Sequence, residues 1–270
     1  MTATDHPAKS RSSKVAAFAA GCIIGIFGGM IGLGGAEFRL PILIGFFSFP
    51  ALEAVILNKA MSLIVVAFAL PFRASAVPFS ELASHWPIIV NLLAGSIAGA
   101  WLGAGWATRL RSESLYKVIA LLLVMIAVVL LLGHDPNGTG RPLFDMPLQV
   151  FVGIGAGFAI GIVAAILGVA GGELLIPTIV LLFGADIKLA GSLSLAVSLP
   201  TMIAAFARYS RDGSFSVLGR NRSFAITMAA GSIVGAFIGG QLLGVVPNEF
   251  LLPFLAILLL LSAVKVWRHT

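Results

Sequence analysis

The sequence predicts an all-α polytopic membrane protein made of two inverted-topology repeats. Each repeat is a glycine-broken helical hairpin plus three transmembrane helices. Three observations predict this. The 270 residues are 59% apolar and only 10% charged, with a mean hydropathy of +1.06. A water-soluble domain carries about 25% charge and cannot hide so much apolar surface. The apolar residues fall into stretches near the roughly 20 residues that span hydrocarbon. The chain also matches itself without a gap when Gly21 is laid on Gly157 and the same offset is kept throughout. This composition excludes a soluble enzyme, a disordered chain and a nucleic-acid binder. The net charge of +6 and pI near 10 read as the Lys/Arg bias that orients membrane proteins. One cysteine, Cys22, leaves no disulfide scaffold, CxxC pair or cysteine-based metal site.

Residues 1–14 are polar and basic, with Lys9, Arg11 and Lys14. They lack a compact apolar core followed by a cleavage site, and read as a cytoplasmic tail. A first transmembrane repeat is expected over 15–133, a linker loop over 134–146 and a second repeat over 147–267. The apolar stretches run at about 15–49, 54–72, 86–108 and 115–133, then 147–184, 190–207, 223–245 and 250–266. Strands are excluded, because lipid tolerates only helices or closed barrels and a barrel needs short alternating segments. The stretches 15–49 and 147–184 are too long for one helix. Each is cut near its middle, at GLGG (32–35) and GVAGG (168–172). Two limbs of about 15 residues each are expected on either side of each cut.

The repeat is the strongest signal. Gly21, Gly25, Gly32, Gly35, Glu37 and Pro41 fall on Gly157, Gly161, Gly168, Gly171, Glu173 and Pro177. Nine of 22 positions are identical between 20–41 and 156–177, and six of nine between 95–103 and 231–239; Glu113 falls on Glu249. Shared apolar composition does not produce a coincident Glu, Pro and Gly pattern, so the halves are duplicates. Basic residues cluster in the N-terminal tail, at 109–117, at 208–222 and at the C-terminus. Placing all of these inside makes 15–49 a hairpin that begins and ends inside, and 147–184 one that begins and ends outside. The halves are then inverted, with both termini cytoplasmic. Two parallel bundles of four crossings are the alternative.

A Gly-rich break at membrane depth leaves backbone groups that need a polar cavity or a protein neighbour. Half-helix N-termini brought together near the midplane by inverted repeats make an anion site. Substrate contact is therefore expected at the backbone of Gly34, Gly35 and Ala36 and of Ala170, Gly171 and Gly172. The alternative is that these glycines only allow close helix crossing, as Gly21/Gly25 and Gly157/Gly161 do. Glu37 and Glu173 share one repeat position, in the first turn of the second limb. They suit proton coupling, or alternatively capping of free N–H groups. Arg39, whose counterpart is Leu175, is an anion clamp, a partner of Glu37 or a snorkelling side chain. Asn58 and Lys59 interrupt an apolar helix, opposite Ser194 and Leu195 of the repeat, and Ser62 matches Ser198. Asn58, Lys59 and Ser194 are expected to face the same cavity, with interhelical hydrogen bonding the alternative for the neutral groups. Lys59 is expected to face the cavity or pair with Glu37 or Glu53. Trp86, Trp101, Trp106 and Trp267 read as interface anchors. The four histidines form no ligand spacing, and no P-loop or nucleophile–base pair is present. No catalytic residue, metal or cofactor is expected.

GGMIGLGGAEFRLPIL (28–43) and AAILGVAGGELLIPTI (164–179) together resemble the TauE/SafE sulfite-exporter family, the transmembrane sulfur-compound transporters. The resemblance spans about 15–267. The family signature is a G-x-G-G-G turn followed by an apolar run and Pro, once per half. Ala36 and Ala170 stand where that pattern has Gly, and Glu follows each motif. The resemblance implies a bacterial inner-membrane permease for small sulfur-containing anions such as sulfite or organosulfonates. Without an ATPase motif, movement follows a gradient, with protons or another coupling ion as co-substrate. An anion channel without proton coupling is the rival reading. The partners are then a small anion, the coupling ion and the lipid bilayer, with no nucleic acid; a homo-oligomer is left open.

Overall fold

The computed structural model describes residues 7–49, 51–106, 142–209 and 215–247, with further helical residues at 121, 124 and 128 and at places between 250 and 264. The basic segment 109–117, most of the stretch 115–133, residues 134–141 and the pair Glu113 and Glu249 lie outside the described residues. Ten helices are defined in what is described: α1 Pro7–Ile31, α2 Ala36–Pro41, α3 Ala51–Phe72, α4 Phe79–Ser84, α5 Trp86–Trp106, α6 Leu148–Leu167, α7 Gly172–Phe183, α8 Ile187–Tyr209, α9 Phe215–Arg220 and α10 Arg222–Leu243. A π-helical turn, Ile42–Phe46, continues α2. None of the described residues lies in a strand. Five helices, α1, α5, α6, α8 and α10, are long and apolar enough to cross a membrane.

The limbs of the two hairpins are unequal, which corrects the expectation that each cut leaves two limbs of similar length. The first limbs, α1 and α6, have 25 and 20 residues. The second limbs are shorter: α2 has 6 residues before the 5-residue π turn continues it, and α7 has 12. Helix α1 begins at Pro7, inside the expected tail, because Ala, Lys and Arg are good helix formers and a polar turn extends a membrane helix past the lipid at little cost. The short limbs stop for local reasons. Helix α2 loosens into the π turn before Ser48, and Gly184 ends α7 in the left-handed conformation.

The repeat offset carries the helices as well as the residues. Helix α1 ends at Ile31 and α6 at Leu167; α2 and α7 start at Ala36 and Gly172. Helix α3 maps onto α8, α4 onto α9 and α5 onto α10. Contacts obey the same mapping: α1 lies along α10, and α5 along α6. Each half therefore lends its first limb to the other half.

Glycine makes these two seams possible. A β-carbon at Gly95 would collide with the Ile154 carbonyl oxygen, and one at Gly99 with that of Phe158. In the other seam, β-carbons at Gly231 and Gly235 would collide with the Phe18 and Cys22 carbonyl oxygens. Backbones approach this closely only where the side chain is absent. The packing role read from Gly21/Gly25 and Gly157/Gly161 holds: added β-carbons there would strike the carbonyls of Met228, Ser232, Leu92 and Ser96. Large apolar residues on the outer faces, among them Ile23, Trp86, Trp101, Phe151 and Phe237, are exposed. So extensive an apolar exterior fits lipid, not water.

Candidate functional site

The two breaks meet. Residues 32–35 turn the chain from α1 into α2, and 168–171 turn it from α6 into α7. Gly35 and Gly171 precede the short limbs with φ of 71° and 80°, a left-handed conformation that side chains resist. A β-carbon at Gly34 would come within 3.6 Å of that of Ala170, and one at Gly172 within 3.0 Å of the Leu33 Cα. No side chain caps either short limb. The amides of Gly34, Gly35 and Ala36, and of Ala170, Gly171 and Gly172, have no hydrogen-bond acceptor among the described residues. The expected backbone groups are thus brought close enough that an added β-carbon on one break would touch the other.

Arg39 is fully buried, so it does not snorkel. It donates from Nη1 to Ser62 Oγ at 2.8 Å and to Asn58 Oδ1 at 3.4 Å. From Nη2 it donates to the Gly34 carbonyl and to Ser232 Oγ, each at 3.4 Å. These partners come from the first break, from α3 and from α10. Asn58 is fully buried, and its Nδ2 has no acceptor among the described residues. Burying a polar group without a partner costs about 1–3 kcal/mol, so this amide is a cost that the fold carries beside Arg39.

Lys59 and Ser194 sit apart from that cluster. Lys59, 6% exposed, donates to the Ala165 carbonyl at 3.3 Å, near the C-terminal end of α6 where a cation suits the helix dipole. It lines a crevice with Ala100, Ala164, Ala165, Val169, Thr201 and Met202 that is too narrow to admit a water molecule. Pairing of Lys59 with Glu53 does not occur: Glu53 Oε1 accepts instead from Arg220 at 3.0 Å, because residue 53 opens α3 beside α9, more than a turn of helix away from Lys59. Ser194 Oγ donates to the Gly32 and Gly191 carbonyls, both at 2.9 Å. The side chain of Glu37 lies outside the described residues. Glu173 is half-buried, in the first turn of α7. Among the anchors, Trp86 and Trp101 are exposed, and Arg208 stacks over the Trp101 ring at 5.6 Å; the side chain of Trp106, and Trp267, lie outside the described residues.

Sequence reasoning missed Arg73. It is buried at the end of α3 and donates from Nη1 to the Gly29 and Met30 carbonyls at 2.8 and 2.7 Å. Its Nη2 reaches the Lys188 carbonyl at 2.8 Å and its Nε reaches Ser192 Oγ at 2.9 Å. It therefore satisfies the last carbonyls of α1 and joins them to the start of α8. An Arg just past an apolar helix reads locally as an interface residue. The one signal against that reading is its position, two residues after Pro71 and in a segment with no other cation nearby.

Residues 7–266 match a family model described as Sulfite exporter TauE/SafE. No curated protein and no solved structure matches the chain.

Proposed function

The chain belongs to the sulfite exporter TauE/SafE family, and from that premise we propose a secondary transporter of small sulfur oxyanions with its site where the two breaks meet. The family match and the five apolar helices make it a multi-pass membrane protein of a transporter family. The finer reading is a permease for sulfite or organosulfonates in a bacterial inner membrane, with both termini cytoplasmic.

The observation that carries the site is the contact between the breaks beside a buried donor set. Arg39 and Asn58 lie beside the first break, and neither short limb is capped by a side chain; guanidinium, amide and free N–H donors are groups that bind oxyanions. Lys59 extends the set toward the second break, and Ser194 stands at the first. Inverted halves are supported by two contacts of α3. Its start is tied to the end of α9 through Glu53 and Arg220, and its end to the start of α8 through Arg73. Its counterpart α8 thus lies beside it in the opposite sense. Two parallel bundles would put residues 53 and 220 on opposite membrane faces.

Because the tips touch and the crevice at Lys59 excludes water, passage requires the tips to separate. In this reading, rocking of the halves or bending of the short limbs opens the closed arrangement to either side. Glu37 and Glu173 are the proton-coupling residues in this reading.

The test is sulfite exchange in proteoliposomes. Stoichiometric, saturable exchange that an imposed pH gradient accelerates is expected. Sulfite current across a planar bilayer with no proton linkage would instead establish the channel. Absence of any sulfite or sulfonate movement overturns both.

A further inference from the structure

Resting on that reading, we propose that a second oxyanion subsite lies on the Lys59 side, formed by Ser198 and Thr201 of the second half with Ser96 and the ammonium of Lys59 from the first. The repeat offset carries Asn58 and Ser62 onto Ser194 and Ser198, and Ser96 onto Ser232. Around Arg39, Asn58 and Ser62 of the first half and Ser232 of the second all serve the guanidinium. In the second half that guanidinium is replaced by Leu175, so the matching hydroxyls have no such group to hold.

The consequence is visible in their hydrogen bonds. Ser198 is 1% exposed and its Oγ has no partner among the described residues. Ser96 Oγ and Thr201 Oγ1 lie 2.7 Å apart. Thr201 donates to the Val197 carbonyl at 2.8 Å, so the proton between the two hydroxyls belongs to Ser96. The Val197 carbonyl is one turn back in the same helix, and the Thr201 hydroxyl can leave it when a charged acceptor arrives.

Position joins these groups to Lys59. Ser198 precedes Thr201 by three residues and Met202 by four, so all three share one flank of α8. Thr201 and Met202 line the Lys59 crevice. Ser96 precedes Ala100, another lining residue, by four on α5. Neither cation nor threonine is part of the duplicated pattern: the counterpart of Lys59 is Leu195 and that of Thr201 is Val65. Hydroxyl donors, one ammonium and alanine walls suit a compact oxyanion bearing several acceptor oxygens once the crevice, closed even to water in this arrangement, opens. Ser194, one turn before Ser198, contacts the Gly32 carbonyl of the first break. The hydroxyl row on α8 therefore runs from the Arg39 side to the Lys59 side, and the subsite is a second stop on one path.

Sulfite exchange and thermal melting of Ser198→Ala, Thr201→Val and Thr201→Ser test this. Loss of one hydrogen bond to an anion is expected to raise KM for sulfite about tenfold in Ser198→Ala and in Thr201→Val. Thr201→Ser keeps the hydroxyl and is expected to stay within about twofold of the unsubstituted protein. Ser198→Ala removes an unpartnered hydroxyl, so its melting temperature is expected to hold or rise while exchange falls. A purely structural serine would not separate the two readouts. If the unsubstituted protein exchanges sulfite and both hydroxyl deletions match its KM and rate, the subsite is overturned. If the unsubstituted protein moves no sulfur anion, the functional reading fails first.

Discussion

The two hairpin tips share a backbone plan and differ in what holds them. At the first tip, side chains bond four consecutive or near-consecutive carbonyls: Arg73 takes Gly29 and Met30, Ser194 takes Gly32 and Arg39 takes Gly34. At the second, Lys59 takes Ala165 at 3.3 Å. The left-handed glycines before the short limbs and the glycine seams behind the long ones repeat in both. Arg39, Lys59 and Arg73 all belong to the first half, and the positions of the first two hold Leu175 and Leu195 in the second. Duplication thus preserved the close backbone packing, where any side chain collides, and let the charges diverge. The scaffold therefore repeats in both halves, while the buried cations Arg39 and Lys59 sit in one of them.

The seams should respond alike in both halves and most severely. Gly95→Val and Gly231→Val each drive a side chain into a carbonyl oxygen, well beyond the roughly 1–3 kcal/mol of ordinary overpacking. Both are expected to abolish recovery of folded protein by size exclusion in detergent. A difference between them would break the symmetry at the level where it is strongest.

The tips should respond unequally. Arg39→Leu installs the residue of the second half and leaves Asn58, Ser62 and Ser232 without their cation. Sulfite exchange is expected to fall at least about a hundredfold, since several charged hydrogen bonds of about 1.5–3 kcal/mol each are lost. Arg39→Lys, with fewer donors in a different geometry, should restore only part of it. Arg73→Leu strands the Gly29 and Met30 carbonyls. A loss of about 2–4 kcal/mol is expected in thermal melting, with KM for sulfite unchanged in the protein that remains folded.

Lys59→Met keeps the apolar stem and removes the ammonium. About a tenfold slower exchange is expected with little change in melting, because the bond to the Ala165 carbonyl is long and contributes little to the fold. The smallest effect concerns the acids. Glu173→Gln is expected to flatten the pH profile of exchange while leaving the rate at low pH within about threefold, as a permanently neutral side chain mimics the protonated carboxyl. An unaltered profile in both Glu173→Gln and Glu37→Gln removes the coupling role from this pair.

Much of this was readable before any coordinates. Crossing a membrane depends on runs of about 20 residues, so composition and windowed hydropathy carry it. The repeat, the broken hairpins and the packing role of spaced glycines follow from residues close in sequence, or from one offset applied along the chain. The lengths of the limbs did not follow, because helix ends depend on local capping that apolar runs do not report. Nor did the partners of buried cations. Arg73 bonds the carbonyls of Gly29 and Met30, far earlier in the chain, and that of Lys188, far later in it. Glu53 chose Arg220 over Lys59 because the packing of α3 against α9 put it there. A hydrogen bond selects whatever oxygen the folded chain brings within about 3 Å, and that proximity is a property of how the helices pack, written at no single place along the chain.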